Sequence, residues 1–473
     1  MPSPRRLPDS DFCQRAAKVA FANPFGAEFE ALYPGIEAEC GGQVQRLEAE
    51  GAAALRHYSG ADRETMRIIF LFDAYQQYRA AFDTVIMHQG EAGDQPVVVA
   101  FARELIALLE RRGFDLEEAL RIFAIFFQIR RAYYFIQKGL VGSSSCMREF
   151  RRHLWDNVFT HDLRHYERSL WERMEDFSTL LLGETGAGKG AAAAAIGRSG
   201  FIPFDEKKQR FTESFTRGFL SINLSQFPEA LLESELFGHR KGAFTGAVEA
   251  HEGVFARCSQ FGAIFLDEIG EVPPPVQIKL LRVLQDRIFS PVGSHEVQRF
   301  KGRIIAATNR SLADLRGPGR FRDDFYYRLC SDVIVVPPLR QRLAEDSREL
   351  DVLLDNLVKR IAGDTAKELL PIVQTALKGL LKKNYAWPGN VRELEQAVRR
   401  ILVTRDYSPE NSAASDADQA AQLSDAFFAG ALDADTLLAR YCTLLYQRFQ
   451  NLEEVARRTR LDRRTVKRYL KLG

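Results

Sequence analysis

Thr179-Leu180-Leu181-Leu182-Gly183-Glu184-Thr185-Gly186-Ala187-Gly188-Lys189-Gly190 is the stretch that decides the fold. A short apolar run leads into the spacing G-x-x-x-x-G-K, and an alanine-rich helical run, Gly190 to Ile196, follows directly. Strand, glycine loop and helix in that order form a phosphate cradle. The glycines let backbone N–H groups converge on phosphate oxygens at a helix N-terminus, and Lys189 brings a point charge to the β and γ phosphates. The cradle spans Gly183, Glu184, Thr185, Gly186, Ala187, Gly188, Lys189 and Gly190. Gly190 stands where a Ser or Thr hydroxyl usually reaches Mg²⁺, so the metal must lean on other ligands.

Outward from the loop, further short apolar runs recur at Phe219 to Ile222, Ala263 to Leu266, Ile304 to Ala307 and Val333 to Val336, with helical patterns between them. Such alternation predicts a parallel sheet covered on both faces. The run at Ala263 ends in Asp267-Glu268, carboxylates suited to holding Mg²⁺ (Asp267) and to polarising an attacking water (Glu268). The run from Arg303 ends in Thr308-Asn309, polar groups placed to sense a γ-phosphate.

Toward the N-terminus, residues 10 to 175 hold apolar and aromatic side chains at helical spacing, for example Phe114, Leu120, Ile122, Phe123, Phe126 and Ile129, and read as all-helical. No alternation of strands and helices with a strand-end aspartate occurs there, which excludes a phospho-acceptor receiver. The charged run Asp205 to Arg217 makes an unusually long connection between the first helix and the second strand, and the sequence assigns it no role. Toward the C-terminus, residues 407 to 425 have linker composition, and Asn451 to Gly473 reads as two short helices about a break at Thr459-Arg460-Leu461. That segment carries eight basic and three acidic residues, a local charge of +5 that attracts phosphate. The chain as a whole, with 65 Lys and Arg against 63 Asp and Glu, has a formal charge of only +2. Its 473 residues allow about three domains. The absence of a long apolar run or signal-peptide pattern predicts a cytoplasmic protein with no membrane contact. The six cysteines lack zinc-site spacing and read as reduced thiols.

Gly242-Ala243-Phe244-Thr245-Gly246-Ala247, after Glu235-Leu236-Phe237-Gly238-His239-Arg240-Lys241, gives the chain a specific resemblance. Over residues 176 to 405 it resembles the AAA+ ATPase domain of bacterial enhancer-binding proteins, the activators of sigma-54 RNA polymerase. The resemblance implies that Gly242 to Ala247 contact sigma-54. It implies that Arg322 and Arg328, in Phe321-Arg322-Asp323-Asp324-Phe325-Tyr326-Tyr327-Arg328-Leu329, act on a neighbouring subunit's nucleotide. Arg392, in Trp387-Pro388-Gly389-Asn390-Val391-Arg392, would reach back from the lid, and Asn223 would restrain Glu268. The tail resembles a Fis-type helix-turn-helix, with Arg463, Arg464, Lys467 and Arg468 facing the major groove.

The expected architecture is multidomain: an all-α regulatory region (1–160), a helical linker (161–178), an α/β AAA+ P-loop core (179–341), its helical lid (342–406), a linker (407–425) and an α-helical helix-turn-helix (426–473). The implied protein hydrolyses ATP with Mg²⁺, binds double-stranded DNA at an upstream activating site, assembles from a dimer to a hexamer, and remodels the sigma-54 RNA polymerase holoenzyme. Two rivals remain at this point: an AAA+ unfoldase or helicase gripping substrate with an aromatic loop, and an ATP-independent repressor with a vestigial nucleotide site.

Overall fold

The computed structural model describes residues 7, 10–317, 320–381, 385–405, 407, 423, 426, 427, 430, 432–449 and 451–470. They divide into two compact units, residues 1–403 and 404–473. The linker expected at 407–425 lies almost wholly outside the described residues.

The first unit is built on a five-stranded sheet. Its strands are β1 (Thr179–Leu182), β2 (Phe219–Asn223), β3 (Ala263–Asp267), β4 (Arg303–Thr308) and β5 (Asp332–Val335), in the order β2-β3-β4-β1-β5, every pair parallel. All four residues of β1 and all six of β4 are buried. That burial is why these strands read as unbroken apolar runs and not as alternating ones. Leu182 lies opposite Thr308 and Asn223 opposite Asp267, so the register collects the polar strand ends along one edge of the sheet. The carboxyl ends of parallel strands are where open α/β sheets bind ligands.

Among the described residues, six α-helices longer than three residues precede the sheet: α1 (Ser10–Ala20), α2 (Ala27–Ala49), α3 (Gly60–Ala92), α4 (Ala102–Arg112), α5 (Leu116–Gly139) and α6 (Ser145–Phe159). Gln89-Gly90, which has loop composition, stays inside α3 because the chain does not turn until Gly93, at φ 64°. Asp115 starts α5 by accepting from the Glu118 backbone N–H at 2.8 Å.

The structure departs from a regulatory region joined to the ATPase only through a linker. Residues 204–205 and 210–211 of the charged connection form a short antiparallel ladder, and Phe204, Phe211 and Phe215 are buried in the core of the N-terminal helices. The Phe127 and Phe211 rings stack with centroids 3.9 Å apart, and the Val99 N–H donates to the Gln209 carbonyl at 2.9 Å. α6 meets the sheet edge directly, where the Asn157 amide donates to Thr179 Oγ1 at 3.0 Å and to Asp332 at 2.6 Å. The buried Glu349, beyond the sheet, accepts from the Ser144 N–H at 2.9 Å and from Arg342 Nε at 2.6 Å. Residues 163–177 are correspondingly not one amphipathic helix. They comprise a three-residue helical turn, a π turn at Tyr166–Leu170 and a 3₁₀ turn at Met174–Asp176. Phe211→Ala is expected to destabilise the protein by about 3 kcal/mol in denaturant melts, because it empties a packed aromatic site that belongs to both regions. A change under about 1 kcal/mol would mean that the ladder merely rests on the helices.

Four helices follow β5: α7 (Leu339–Glu345), α8 (Glu349–Ala362), α9 (Ala366–Leu381) and α10 (Asn390–Thr404). The second unit holds α11 (Ala434–Phe449), α12 (Leu452–Thr459) and α13 (Arg463–Leu470) about buried Cys442, Val455, Val466 and Tyr469. Leu470 packs against this core, and the Tyr469 hydroxyl donates to Asp435 at 2.8 Å. Asn451 caps α12, and Asp462 caps α13 by accepting from the Arg464 and Thr465 N–H groups at 2.8 and 2.9 Å. The six cysteines are all free thiols. No helix among the described residues is long and apolar enough to cross a membrane.

Candidate nucleotide site

The loop Gly183 to Gly188 bends at the end of β1, and the helix Lys189–Gly197 carries it back along the sheet. Gly186 adopts φ 78°, and a Cβ on it would collide with the Gly389 carbonyl, so glycine alone allows the lid to approach this closely. The Lys189 ammonium donates to the Gly183 and Glu184 carbonyls at 2.8 and 3.1 Å. Lys189 is buried, which pushes its pKa below the usual lysine value, while the Glu268 and Asp267 carboxylates pull it back up. A desolvated cation facing two carboxylates is poised to exchange backbone partners for phosphate oxygens. Gly190 has open space beside it, the nearest atom to an added Cβ being a Phe265 ring carbon 3.9 Å away.

Asp267 and Glu268 follow β3. Glu268 sits in the left-handed region at φ 55°, a conformation that costs a non-glycine residue on the order of 1 kcal/mol and persists only where the surroundings hold it. Its N–H donates to Asp267 Oδ1 at 3.0 Å. Burial, and next the Asp267 charge, push the Glu268 carboxyl above the usual range, and Lys189 opposes them. A raised carboxyl near the loop is a suitable group to accept a proton from water. Thr308 is fully buried and its hydroxyl accepts from the Arg310 N–H at 3.2 Å, whereas the Asn309 amide reaches Thr185 Oγ1 at 3.5 Å. Of the two, Asn309 faces the cradle.

Asn223, in register with Asp267, turns its carboxamide oxygen to the Ser225 N–H and hydroxyl at 3.0 and 2.8 Å. In this conformation its side chain caps a 3₁₀ turn and does not restrain Glu268. Arg392 is the lid residue beside the loop, its N–H pointing to the Gly186 carbonyl at 3.4 Å. Asn390, which reads in the sequence as a mere helix start, is the stronger link. Fully buried at φ 54°, it donates to Glu184 Oε2 at 3.0 Å and to the Thr185 carbonyl at 3.2 Å, and it accepts from the Leu339 N–H at 2.7 Å. Glu184 also binds Arg340 of α7 at 2.5 Å. The signal for Asn390 is its position directly after Pro388-Gly389, at the start of the lid helix.

Arg322 and Arg328 are exposed. Arg322 pairs with Asp324 at 2.9 Å, and Arg328 Nε donates to the Leu284 carbonyl at 3.1 Å. Both are surface groups held by contacts within the chain.

The loop Gly242 to Ala247 is closed by the Gly242 N–H donating to the Ala247 carbonyl at 2.8 Å, with Gly246 at φ 103°. Thr245 is exposed. Phe244 is half-buried and packs edge-on against His239 with centroids 4.9 Å apart. The base of the loop is held by residues the sequence did not single out. The Arg240 N–H donates to the Val292 carbonyl at 3.1 Å, and its guanidinium binds Glu296 at 2.7 Å. On α13, Arg463, Arg464, Lys467 and Arg468 are all exposed, Arg463 pairing with Glu453 at 2.9 Å.

A glycine loop on a central strand, two carboxylates on the next strand and a helical lid bonded to the loop define a AAA+-type nucleotide-binding module. Residues 161–335 match the sigma-54 interaction domain and residues 345–413 the AAA+ ATPase lid domain, so the chain carries the module of the sigma-54 enhancer-binding regulators that it resembles in sequence. The match begins at residue 161 and so takes in the segment expected to be a linker. The chain is 42% identical over 229 residues to the nitrogen fixation protein AnfA of Azotobacter vinelandii, 48% of this chain and 39% of that protein. It is 38% identical over 227 residues to the regulatory protein AtoC of Escherichia coli strain K12, 48% of this chain and 45% of that protein. The matched stretch thus spans less than half the length of either relative. NtrX from Brucella abortus, in a crystal structure with ATP, aligns over 79% of this chain and 80% of its own at 20% identity and a TM-score of 0.42.

Proposed function

We propose that this protein is a sigma-54-dependent transcriptional activator that binds upstream DNA through α13 and hydrolyses ATP in a homo-oligomeric ring. Movement of the Gly242 to Ala247 loop would then remodel the sigma-54 RNA polymerase holoenzyme to the open complex. The observation that carries this reading is the loop itself, projecting from the module that holds Lys189, Asp267 and Glu268 and presenting Thr245 to solvent. An unfoldase would need no such fixed hexapeptide, and a decayed nucleotide site would have no reason to keep the strained Glu268.

In the proposed reaction Lys189 and the cradle N–H groups orient the phosphates, Glu268 takes the proton of the attacking water, and Asn309, beside Thr185 of the loop, senses the γ-phosphate. Asp267 is the residue suited to holding Mg²⁺, which when bound would neutralise phosphate charge; Gly190 contributes no hydroxyl.

Photocrosslinking tests the reading directly. A benzophenone analogue at Phe244 should capture the sigma-54 subunit from intact holoenzyme in the presence of ATP. Capture of the core subunits alone, or of an unfolding substrate, would contradict it. Ring assembly has its own expected result. Inactive Arg322→Ala and inactive Lys189→Ala subunits, once mixed, recover part of the ATPase at interfaces that join an intact site to an intact arginine. No recovery in hetero-rings verified by mass spectrometry would place Arg322 outside the reaction.

A further inference from the structure

We propose that the cavity inside the N-terminal helices binds an uncharged, ring-bearing small molecule with one hydrogen-bond donor, and that its occupancy acts on the nucleotide module through α5. The second half rests on the ATPase reading above; the first does not.

The cavity measures about 470 Å³, within the ordinary range for small-molecule sites. Its wall is chiefly aromatic and aliphatic, with Phe29, Phe72, Tyr75, Phe126, Tyr133 and Trp155 prominent. The guanidinium groups on the wall are already neutralised. Arg130 holds Asp83 through two bonds of 2.6 and 2.7 Å, and Arg79 lies 2.9 Å from Glu37. An anionic ligand would therefore meet no unpaired cation, and the Glu167 charge is already offset by Arg67 and Arg121, whereas flat apolar rings match the wall.

One polar group on the wall is left incomplete. Glu167 is 5% exposed, and its Oε1 accepts from Arg67 at 3.0 Å and faces Arg121 at 3.6 Å. Its Oε2 is buried and finds no partner among the described residues. A buried acceptor without a donor is destabilising, and an O–H or N–H brought in by a ligand satisfies it. Glu167 belongs to the π turn Tyr166–Leu170, a rare geometry that recurs at functional sites.

The route to the ATPase is short. α5 presents Ile122, Ile125, Phe126, Ile129 and Tyr133 to the cavity, the spacing of one helical face. From elsewhere on the same helix, Gln128 donates to the Ser199 carbonyl at 2.9 Å, and Arg131 donates to the Arg198 and Gly200 carbonyls at 3.1 and 2.5 Å. These carbonyls lie at and just past the C-terminal end of the helix Lys189–Gly197. Tyr166, beside Glu167, shares the Gln128 amide at 2.7 Å. A ligand that favours one position of α5 thereby biases the far end of the phosphate-loop helix, provided that it binds the two positions unequally.

Calorimetric titration of the full-length protein with indole, naphthalene and benzoate tests the site. Indole is expected to saturate one site per chain and to bind roughly tenfold more tightly than naphthalene, which lacks the donor, or than the anion benzoate. Ala80→Phe on the rim, or Ala22→Phe beside Phe21, should weaken indole by at least about tenfold and abolish its effect on ATP turnover while the basal rate stays. Failure to saturate below about 1 mM, tighter binding of benzoate, or unchanged affinity in both filled variants overturns the site. Saturable binding that leaves wild-type turnover unaltered overturns the coupling. Saturable binding by a protein that hydrolyses no ATP sinks the ATPase reading and leaves the site standing.

Discussion

Glu268→Gln is expected to keep ATP binding and to lose hydrolysis by a factor of order 10² or more. The isosteric amide preserves the shape of the left-handed turn but removes the group that takes the water's proton. Lys189→Ala acts earlier and should abolish binding, because the ammonium that now spans the Gly183 and Glu184 carbonyls is the cation offered to the phosphates. The pH dependence follows from the same environment. The neutral form of Glu268 is favoured by burial and by Asp267, so its folded pKa lies above that of an ordinary glutamate. Activity that needs the carboxylate is full above that raised pKa and falls as pH drops through it, so the acid limb should lie higher than the usual glutamate range and vanish from the residual activity of Glu268→Gln. Filter binding and a coupled turnover assay separate the two variants; wild-type turnover in Glu268→Gln would remove the residue from the reaction.

Thr245→Ala is expected to do the opposite, leaving ATP turnover within about twofold and abolishing open-complex formation. The exposed hydroxyl belongs to the loop and not to the cradle, and the loop hangs from the Val292 to Glu296 segment through Arg240. Removing a hydroxyl and a methyl from an exposed tip changes stability by less than about 0.5 kcal/mol, so loss of remodelling cannot be blamed on folding. Parallel loss of both activities would instead make the loop a packing element of the ATPase.

The nucleotide module was legible because each piece is local in sequence. An apolar run of four to six residues ends in the groups that do the chemistry, and the five strands, the loop, Asp267 and Glu268 fall where that pattern puts them. What was not legible depends on contacts between distant residues. Phe204, Phe211 and Phe215 sit in or beside a stretch whose charge suggests solvent, and only the packing of Phe204 and Phe211 on Phe123 and Phe127, and of Phe215 on Phe135, reveals a clasp. Asn390 looked like helix punctuation until its bonds across 205 and 206 residues to Thr185 and Glu184 were seen. Asn223 shows the reverse: the strand ends at this residue as its pattern predicts, yet the rotamer that caps Ser225 turns the carboxamide oxygen to the 3₁₀ turn. Arg342 and Glu349, buried together against residues 141–144, carry a contact between the N-terminal helices and the helices after β5 that no local pattern announces.

Permanganate reactivity of promoter thymines is the measurement that bears most directly on the central claim, that hydrolysis at this site drives sigma-54 holoenzyme to the open complex. With purified protein, sigma-54 holoenzyme and hydrolysable ATP, thymines near the start site should become reactive; with a non-hydrolysable analogue, with Glu268→Gln, or with a promoter served by another sigma factor, they should stay protected. Equal reactivity with the non-hydrolysable analogue, or protected thymines while the protein turns over ATP at its full rate beside the holoenzyme, would contradict the account.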